Sequence, residues 1–323
     1  MTQEIVWLST QDDVPPGLLG GKGNGLFQLT KLGLPILPGF VLTTNFFATK
    51  NLPQLVTEQV GLIRATYAQL EEQLSEKNPA VAVRSSALAE DGEQHSFAGA
   101  FDTFLWVRGL ADIADKISQC HNSLFSARAN GYRSGMALTD EETAVPQMAI
   151  IIQAMIPAQA AGVMMTLNPS NGDRSKIAIE STWGLGQLLV DGAINPDRFL
   201  VDKITGEIIE QTIASKTNKL EAAGTDRSGT AVAPVPHHLA DSPSLTKEEI
   251  EELCGYGRLL ENHFGTPQDI EFATYQNQIF ILQARPETVW AQKQTKVYGL
   301  NGRPIDHIVN TLTNFGKTKP HHK

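Results

Sequence analysis

Asp269, Glu271, Gln283 and Arg285 stand in PQDIEFATYQNQIFILQARP, two short apolar runs either side of Tyr275-Gln276-Asn277-Gln278. Each run reads as a strand, and the polar break between them as a hairpin turn. Side chains on a strand alternate faces. The four polar residues are all odd-numbered, whereas Ile270, Phe272, Phe280, Leu282 and Ala284 are even. Ile279 and Ile281 break the alternation near the turn. A hairpin centred near Asn277 sets Glu271 opposite Gln283 and Asp269 opposite Arg285, giving one packed face and one face of two carboxylates, an amide and a guanidinium. Carboxylate and amide oxygens suit Mg²⁺, and a guanidinium suits a phosphoryl group. A solvent-facing hairpin with a cross-strand salt bridge is the plainer alternative.

Three upstream segments bear on that choice. Gly20-Gly21-Lys22-Gly23-Asn24-Gly25 reads as a glycine-rich loop ahead of a helix that contains Leu26, Leu29 and Leu32. Such a loop can bring backbone amides and one ammonium to a phosphate. It has neither the Gly-x4-Gly-Lys-Ser/Thr order nor a preceding strand, so it matches neither common nucleotide fingerprint. Val81–Ala87 reads as a buried strand that presents Arg84, to a ligand or to a structural carboxylate. Ser96-Phe97-Ala98-Gly99, with Thr103 beyond it, reads as a small-residue loop able to fold over phosphates, or simply as a turn.

The scaffold follows from periodicity and punctuation. Helices are expected from about 54 to 77, over 109–133, and from Thr246, as N-cap, to about Phe264. Glu249 completes a capping box there, and Leu245 with Ile250 can staple it. Met148–Met155, Ala161–Leu167 and Lys176–Thr182 read as strands. The first of these runs could lay edge amides against a purine, with Gln153, Ala154 and Met155 at its end, although core packing is the commoner fate of such a run. Residues 213–244 are polar and contain prolines, and read as a long surface segment.

Composition excludes more than it selects. The chain has 323 residues, 41% of them apolar and 19% charged, in the range of soluble globular proteins. A formal net charge of −9 offers no basic surplus for nucleic acid. No run approaches the roughly 20 apolar residues of a membrane span. The N-terminus lacks a signal peptide's basic region. The two cysteines, Cys120 and Cys254, make neither a disulfide framework nor a metal motif. A cytoplasmic enzyme or enzyme subunit is expected.

Taken in order, Gly20-Gly21-Lys22-Gly23, Val83-Arg84-Ser85-Ser86-Ala87, Ser96-Phe97-Ala98-Gly99, Gly162-Val163-Met164…Asn168-Pro169, Trp183-Gly184-Leu185-Gly186, Asp269-Ile270-Glu271 and Gln283-Ala284-Arg285-Pro286 resemble the N-terminal ATP-binding domain of phosphoenolpyruvate synthase and pyruvate phosphate dikinase. Rifampicin phosphotransferases share that domain, and the likeness runs from about residue 15 to 290. It implies an α+β, two-lobed ATP-grasp-type fold with nucleotide between the lobes. The N-terminal lobe is expected over 1–145, the C-terminal lobe over 146–290 and a tail over 291–323. The resemblance further implies that Lys22 and Arg84 bind phosphates and Ser96–Gly99 close over them. Gln153, Ala154 and Met155 would line the adenine pocket. Glu271 and Gln283 would hold Mg²⁺ with Asp269 nearby, and Arg285 would stabilise the phosphoryl group in flight.

In full-length relatives a mobile domain carries a phosphate-accepting histidine. None of the 8 histidines of this chain, His95 in the expected phosphate loop included, has a Gly-rich Ser/Thr-His-Ala-type setting. The expectation is therefore a dikinase-type subunit that passes a phosphoryl group from ATP to a histidine on a partner subunit, leaving AMP and phosphate. The arrangement resembles that of phenylphosphate synthase, with a small ATP-binding subunit beside a larger carrier. A self-sufficient small-molecule kinase and a non-catalytic ATP-sensing module are the alternatives.

Overall fold

A computed structural model describes residues 3–48, 55–87, 103–133 and 147–290. The chain separates into a compact unit, Met1–Glu287, and a short second one, Thr288–Lys323. Both large sheets lie in the first unit. Ser96, Phe97, Ala98, Gly99 and His95 fall outside the described residues, as does the tail from 291 onward.

The first sheet comprises β1 (Ile5–Trp7), β2 (Gly39–Leu42), β3 (Val81–Ala87), β4 (Thr103–Val107) and β5 (Met148–Ala154). Their order is β1-β2-β5-β3-β4, with every neighbour antiparallel. Around this sheet lie α1 (Pro16–Lys31), α2 (Thr44–Ala48), α3 (Thr57–Leu74) and α4 (Leu110–Arg133). β5 is apolar at five successive positions because both of its faces are covered. Ala149 and Ile151 pack in the cluster with Leu26 and Leu29 of α1, while Ile150 and Ile152 pack with Ile63 of α3 and Ile117 of α4.

The second sheet is built from β6 (Ala160–Met165), β7 (Lys176–Trp183), β8 (Asp197–Asp202), β9 (Ile208–Thr212), β12 (Gln268–Tyr275) and β13 (Gln278–Pro286). It runs β13-β12-β6-β7-β8-β9, again antiparallel throughout. Two short helices, α5 (Gln187–Val190) and α6 (His237–Ala240), and a two-stranded ribbon, β10 (Asn218–Ala222) with β11 (Thr230–Pro234), complete this half with α7 (Lys247–Phe264). Thr246 caps α7 as expected: its Oγ1 accepts from Glu249 N at 3.2 Å, and its own N donates to Glu249 Oε2 at 2.8 Å. Gly265, at φ 72°, ends the helix in the left-handed region that glycine adopts without strain.

The α+β class and the two-lobed arrangement expected of an ATP-grasp-type domain are what these sheets form. Three local expectations are corrected. β5 is hydrogen-bonded between β2 and β3, so the change from one sheet to the other falls after Ala154 rather than at 145/146. Glycines 20–25 lie inside α1 instead of in a loop ahead of it. Residues 213–244 contain the β10–β11 ribbon and α6 rather than a plain surface segment. Among the described residues, no helix is long and apolar enough to cross a membrane.

Candidate active site

The hairpin has the register that alternation demanded: Asp269 faces Arg285 and Glu271 faces Gln283. Gln276 and Asn277 make the turn at φ 51° and 60°, the left-handed pair that suits a two-residue hairpin. Between Glu271 and Phe272 the register shifts, and Leu282 is the extra residue. That bulge explains the parity break, because Ile281 and Ile279 now face Phe272 and Thr274 and are buried at 0% and 1% exposure.

Arg84, one strand interior to the edge of the first sheet, reaches the bulge. Its Nη1 donates to the Leu282 carbonyl at 3.0 Å and its Nη2 to Gln283 Oε1 at 2.7 Å, with Glu271 Oε2 at 3.6 Å. Next along the same hairpin, Arg285 donates through Nε to Asp269 Oδ2 at 2.9 Å, and Nη2 lies equally close. The salt-bridge reading therefore holds for the outer pair. The inner pair instead presents a carboxylate and an amide oxygen side by side.

Ser86, two residues past Arg84, shapes the segment carrying Lys22. Leu19 O and Gly23 N would be bonded to each other in a regular helix. Here the Ser86 hydroxyl stands between them, accepting from Gly23 N at 2.9 Å and donating to Leu19 O at 2.8 Å. Insertion into the ladder is a recognised cause of a kink. Gly20 supplies it with φ 68° and ψ 177°. A Cβ at Gly20 would come within 2.1 Å of Ser86 O, so only glycine fits. The glycine-rich run is thus a break built into a helix and buttressed by β3.

A cleft of about 540 Å³ lies between the sheets, in the size range of small-molecule sites. Lys22, Arg84, Glu271, Gln283 and Arg285 all line it, and so do Thr103, Gln153, Ala154 and Met155. Asp269 is not among the lining residues. Because β5 is interior, its amides are spent: Ala154 N donates to Pro38 O at 2.8 Å and Met155 N to Ala80 O at 2.9 Å. The expectation that this strand offers edge amides is corrected. What faces the cleft is side chain, with Gln153 tethered through Nε2 to Leu37 O at 3.1 Å.

Gln187 and Asp191 also line the cleft, joined by a 2.8 Å bond from Gln187 Nε2 to Asp191 Oδ1. Sequence reasoning gave them no role. The one signal was the Trp183-Gly184-Leu185-Gly186 run. Gly184, at φ 77°, lets the chain pass with its Cα side against Leu220 O, which a Cβ would approach to 2.4 Å.

Glu271 and Gln283 fit a magnesium ion. They offer two oxygens from directly opposed positions, and the Arg84 guanidinium holds the Gln283 oxygen at 2.7 Å. Mg²⁺ ordinarily takes only one or two protein oxygens and completes its shell with phosphate and water. Among the described residues no group of three or more His, Cys, Asp or Glu side chains is set for a metal.

The family described as pyruvate phosphate dikinase, AMP/ATP-binding domain, matches residues 45–299. A phosphoenolpyruvate synthase of Aeropyrum pernix is 34% identical over 90% of this chain and 43% of its own length. The prodigiosin synthesizing transferase PigC of Serratia marcescens is 35% identical over 91% of this chain and 34% of its own. An uncharacterized phosphotransferase of Bacillus subtilis, YvkC, is 35% identical over 84% and 33%. The chain thus spans less than half the length of these relatives. The D-alanyl-alanine synthetase A of Vibrio cholerae aligns over 90% of this chain and 64% of its own at 11% identity, with a TM-score of 0.34.

Proposed function

The chain belongs to the family of the pyruvate phosphate dikinase AMP/ATP-binding domain, and we propose that its cleft binds Mg-ATP and passes a phosphoryl group to a histidine on a separate carrier subunit. AMP and phosphate are the overall products, so two phosphoanhydride bonds break: the acceptor nitrogen takes one phosphoryl group, and water takes the other and releases it as phosphate. One observation carries the reading: a lysine from α1, an arginine from β3 and the Glu271, Gln283, Arg285 set of the hairpin converge on one cleft.

Lys22 and Arg84 bind phosphate oxygens, with Thr103 on the same cleft wall. Gln153, Ala154 and Met155 flank the base. Glu271 and Gln283 would hold Mg²⁺, which would supply positive charge to neutralise the phosphates. Arg285 stabilises the phosphoryl group as its P–O bond to the nucleotide breaks and its bond to the acceptor nitrogen forms, and Asp269 orients that guanidinium. Positioning and charge neutralisation are what phosphoryl transfer requires of a protein. No histidine among the described residues lines the cleft. The relatives are more than twice as long as the stretch they share with this chain.

Incubating the purified chain with ATP, alone and with a separately purified carrier-histidine domain of the same family, tests this. AMP should form, and the carrier become labelled, only when both proteins are present. AMP production at the same rate by the chain alone would overturn the carrier requirement.

A further inference from the structure

Arg84 stands where a metal ion would be drawn. Its Nη2 is 2.7 Å from Gln283 Oε1 and 3.6 Å from Glu271 Oε2, the two oxygens assigned above to Mg²⁺. The other arm of the guanidinium bonds Leu282 O at 3.0 Å. Leu282 is available because the bulge leaves it without a cross-strand partner in the β12–β13 register. Gln283 is 8% exposed, and the Arg84 side chain 11%. This is a fitted contact: a planar fork on one sheet meets three acceptors on the other.

We propose that Arg84 is a cation latch. With no nucleotide bound, its guanidinium serves Glu271 and Gln283 as a resident counter-ion and ties the first sheet to the hairpin of the second. A polyphosphate chain draws the guanidinium away, and only then are both oxygens free for a divalent ion. The inference rests on the metal-ligand roles proposed above. It adds an order of events: nucleotide first, metal second. Two cations cannot share the same pair of oxygens without repulsion, because like charges that close in a partly buried site are poorly screened. Arginine does not deprotonate in proteins, so pH cannot release the latch; a competing anion must.

Mn²⁺ is the probe, titrated onto the full, nucleotide-free chain and followed by the electron paramagnetic resonance of the unbound ion. The wild type should bind it weakly. Arg84→Ala should bind about tenfold more tightly or better, the scale of one lost hydrogen bond to a charged group. Arg84→Lys, which keeps the charge but not the fork, should fall between and serves if the alanine variant does not fold. Adding Glu271→Gln to the tighter variant should abolish the gain. Equal or weaker Mn²⁺ binding by both Arg84 variants would overturn the latch, as would a gain that survives Glu271→Gln. Binding of a non-hydrolysable ATP analogue to the wild type in EDTA is a separate measurement. Its failure in EDTA would overturn the order of events, whereas failure with Mg²⁺ present as well would sink the nucleotide reading itself.

Discussion

Arg285 and Asp269 are opposed across the β12–β13 ladder, and the guanidinium meets one carboxylate oxygen through both Nε and Nη2 at 2.9 Å. Asp269, which does not line the cleft, meets it through this neighbour. An exposed pair of this kind contributes little to stability, about 0–1 kcal/mol, and here the arginine side chain is 51% exposed. The value of the contact lies in where it holds the guanidinium.

If Arg285 acts on the phosphoryl group in transit, Arg285→Ala should lower turnover about 10²- to 10³-fold, the range seen when one transition-state donor is removed. ATP affinity should stay within about threefold. Asp269→Asn, which loosens the guanidinium without removing it, should cost about tenfold in turnover. Rates of AMP formation with the carrier present, set beside calorimetric ATP affinities, check both. Equal losses of affinity and turnover would make Arg285 a ground-state binder only.

Ser86→Ala removes the hydroxyl that separates Leu19 O from Gly23 N. Both groups are buried at the kink and lose a partner, so a loss of about 1–3 kcal/mol is expected. Because Lys22 lies just past the kink, ATP affinity should fall as well. Urea unfolding and nucleotide titration of the same variant separate the two effects. Unchanged stability would mean that α1 closes into a regular helix once the serine is gone.

How far the sequence could be read divides along physical lines. The hairpin was legible because one of its faces is buried, so alternation and register specify each other; even the parity break at Ile279 and Ile281 was visible, and the bulge at Leu282 is its cause. The α7 cap was legible because it is local chemistry between Thr246 and Glu249. The helical state of Gly21–Gly25 was not, since glycine disfavours helix and the compensating partner, Ser86, is 63 residues from Gly23. The β10–β11 ribbon was hidden for the opposite reason. It buries only Leu220, so it leaves no period-two signal. The cleft itself needs both sheets, and Arg84 meets Gln283 across 199 residues of sequence.

Lys216 and Asp197 form an ion pair at 2.5 Å with both side chains 0% exposed. The carboxylate also accepts from Ala214 N at 3.0 Å and from Ser244 N and Oγ at 2.7 Å each, so it pins the start of β8 to the approaches of β10 and α7. Lys216→Met leaves a buried charge short of its counter-ion and should cost about 3–5 kcal/mol. The double variant with Asp197→Asn should be less destabilised than the sum of the singles, because no charge is then stranded. Denaturant midpoints for the cycle decide it; strict additivity would mean the two residues act independently.

His121, on α4, stacks on Phe47 with ring centroids 4.5 Å apart and is 7% exposed. Burial disfavours the imidazolium and holds its pKa below the ordinary value of 6.5. In the unfolded chain the ring protonates near that ordinary value, while in the folded chain it stays neutral to lower pH. Across the window between the two values the unfolded state binds more protons, so stability falls as pH drops below about 6.5 and gains nothing from this group above it. Carboxylates add their own acid sensitivity at lower pH, so the informative quantity is a difference. His121→Leu should flatten the stability curve between pH 7.5 and 5.5 relative to wild type in urea titrations. A wild-type curve already as flat as the variant's would show that the ring accepts its proton in place.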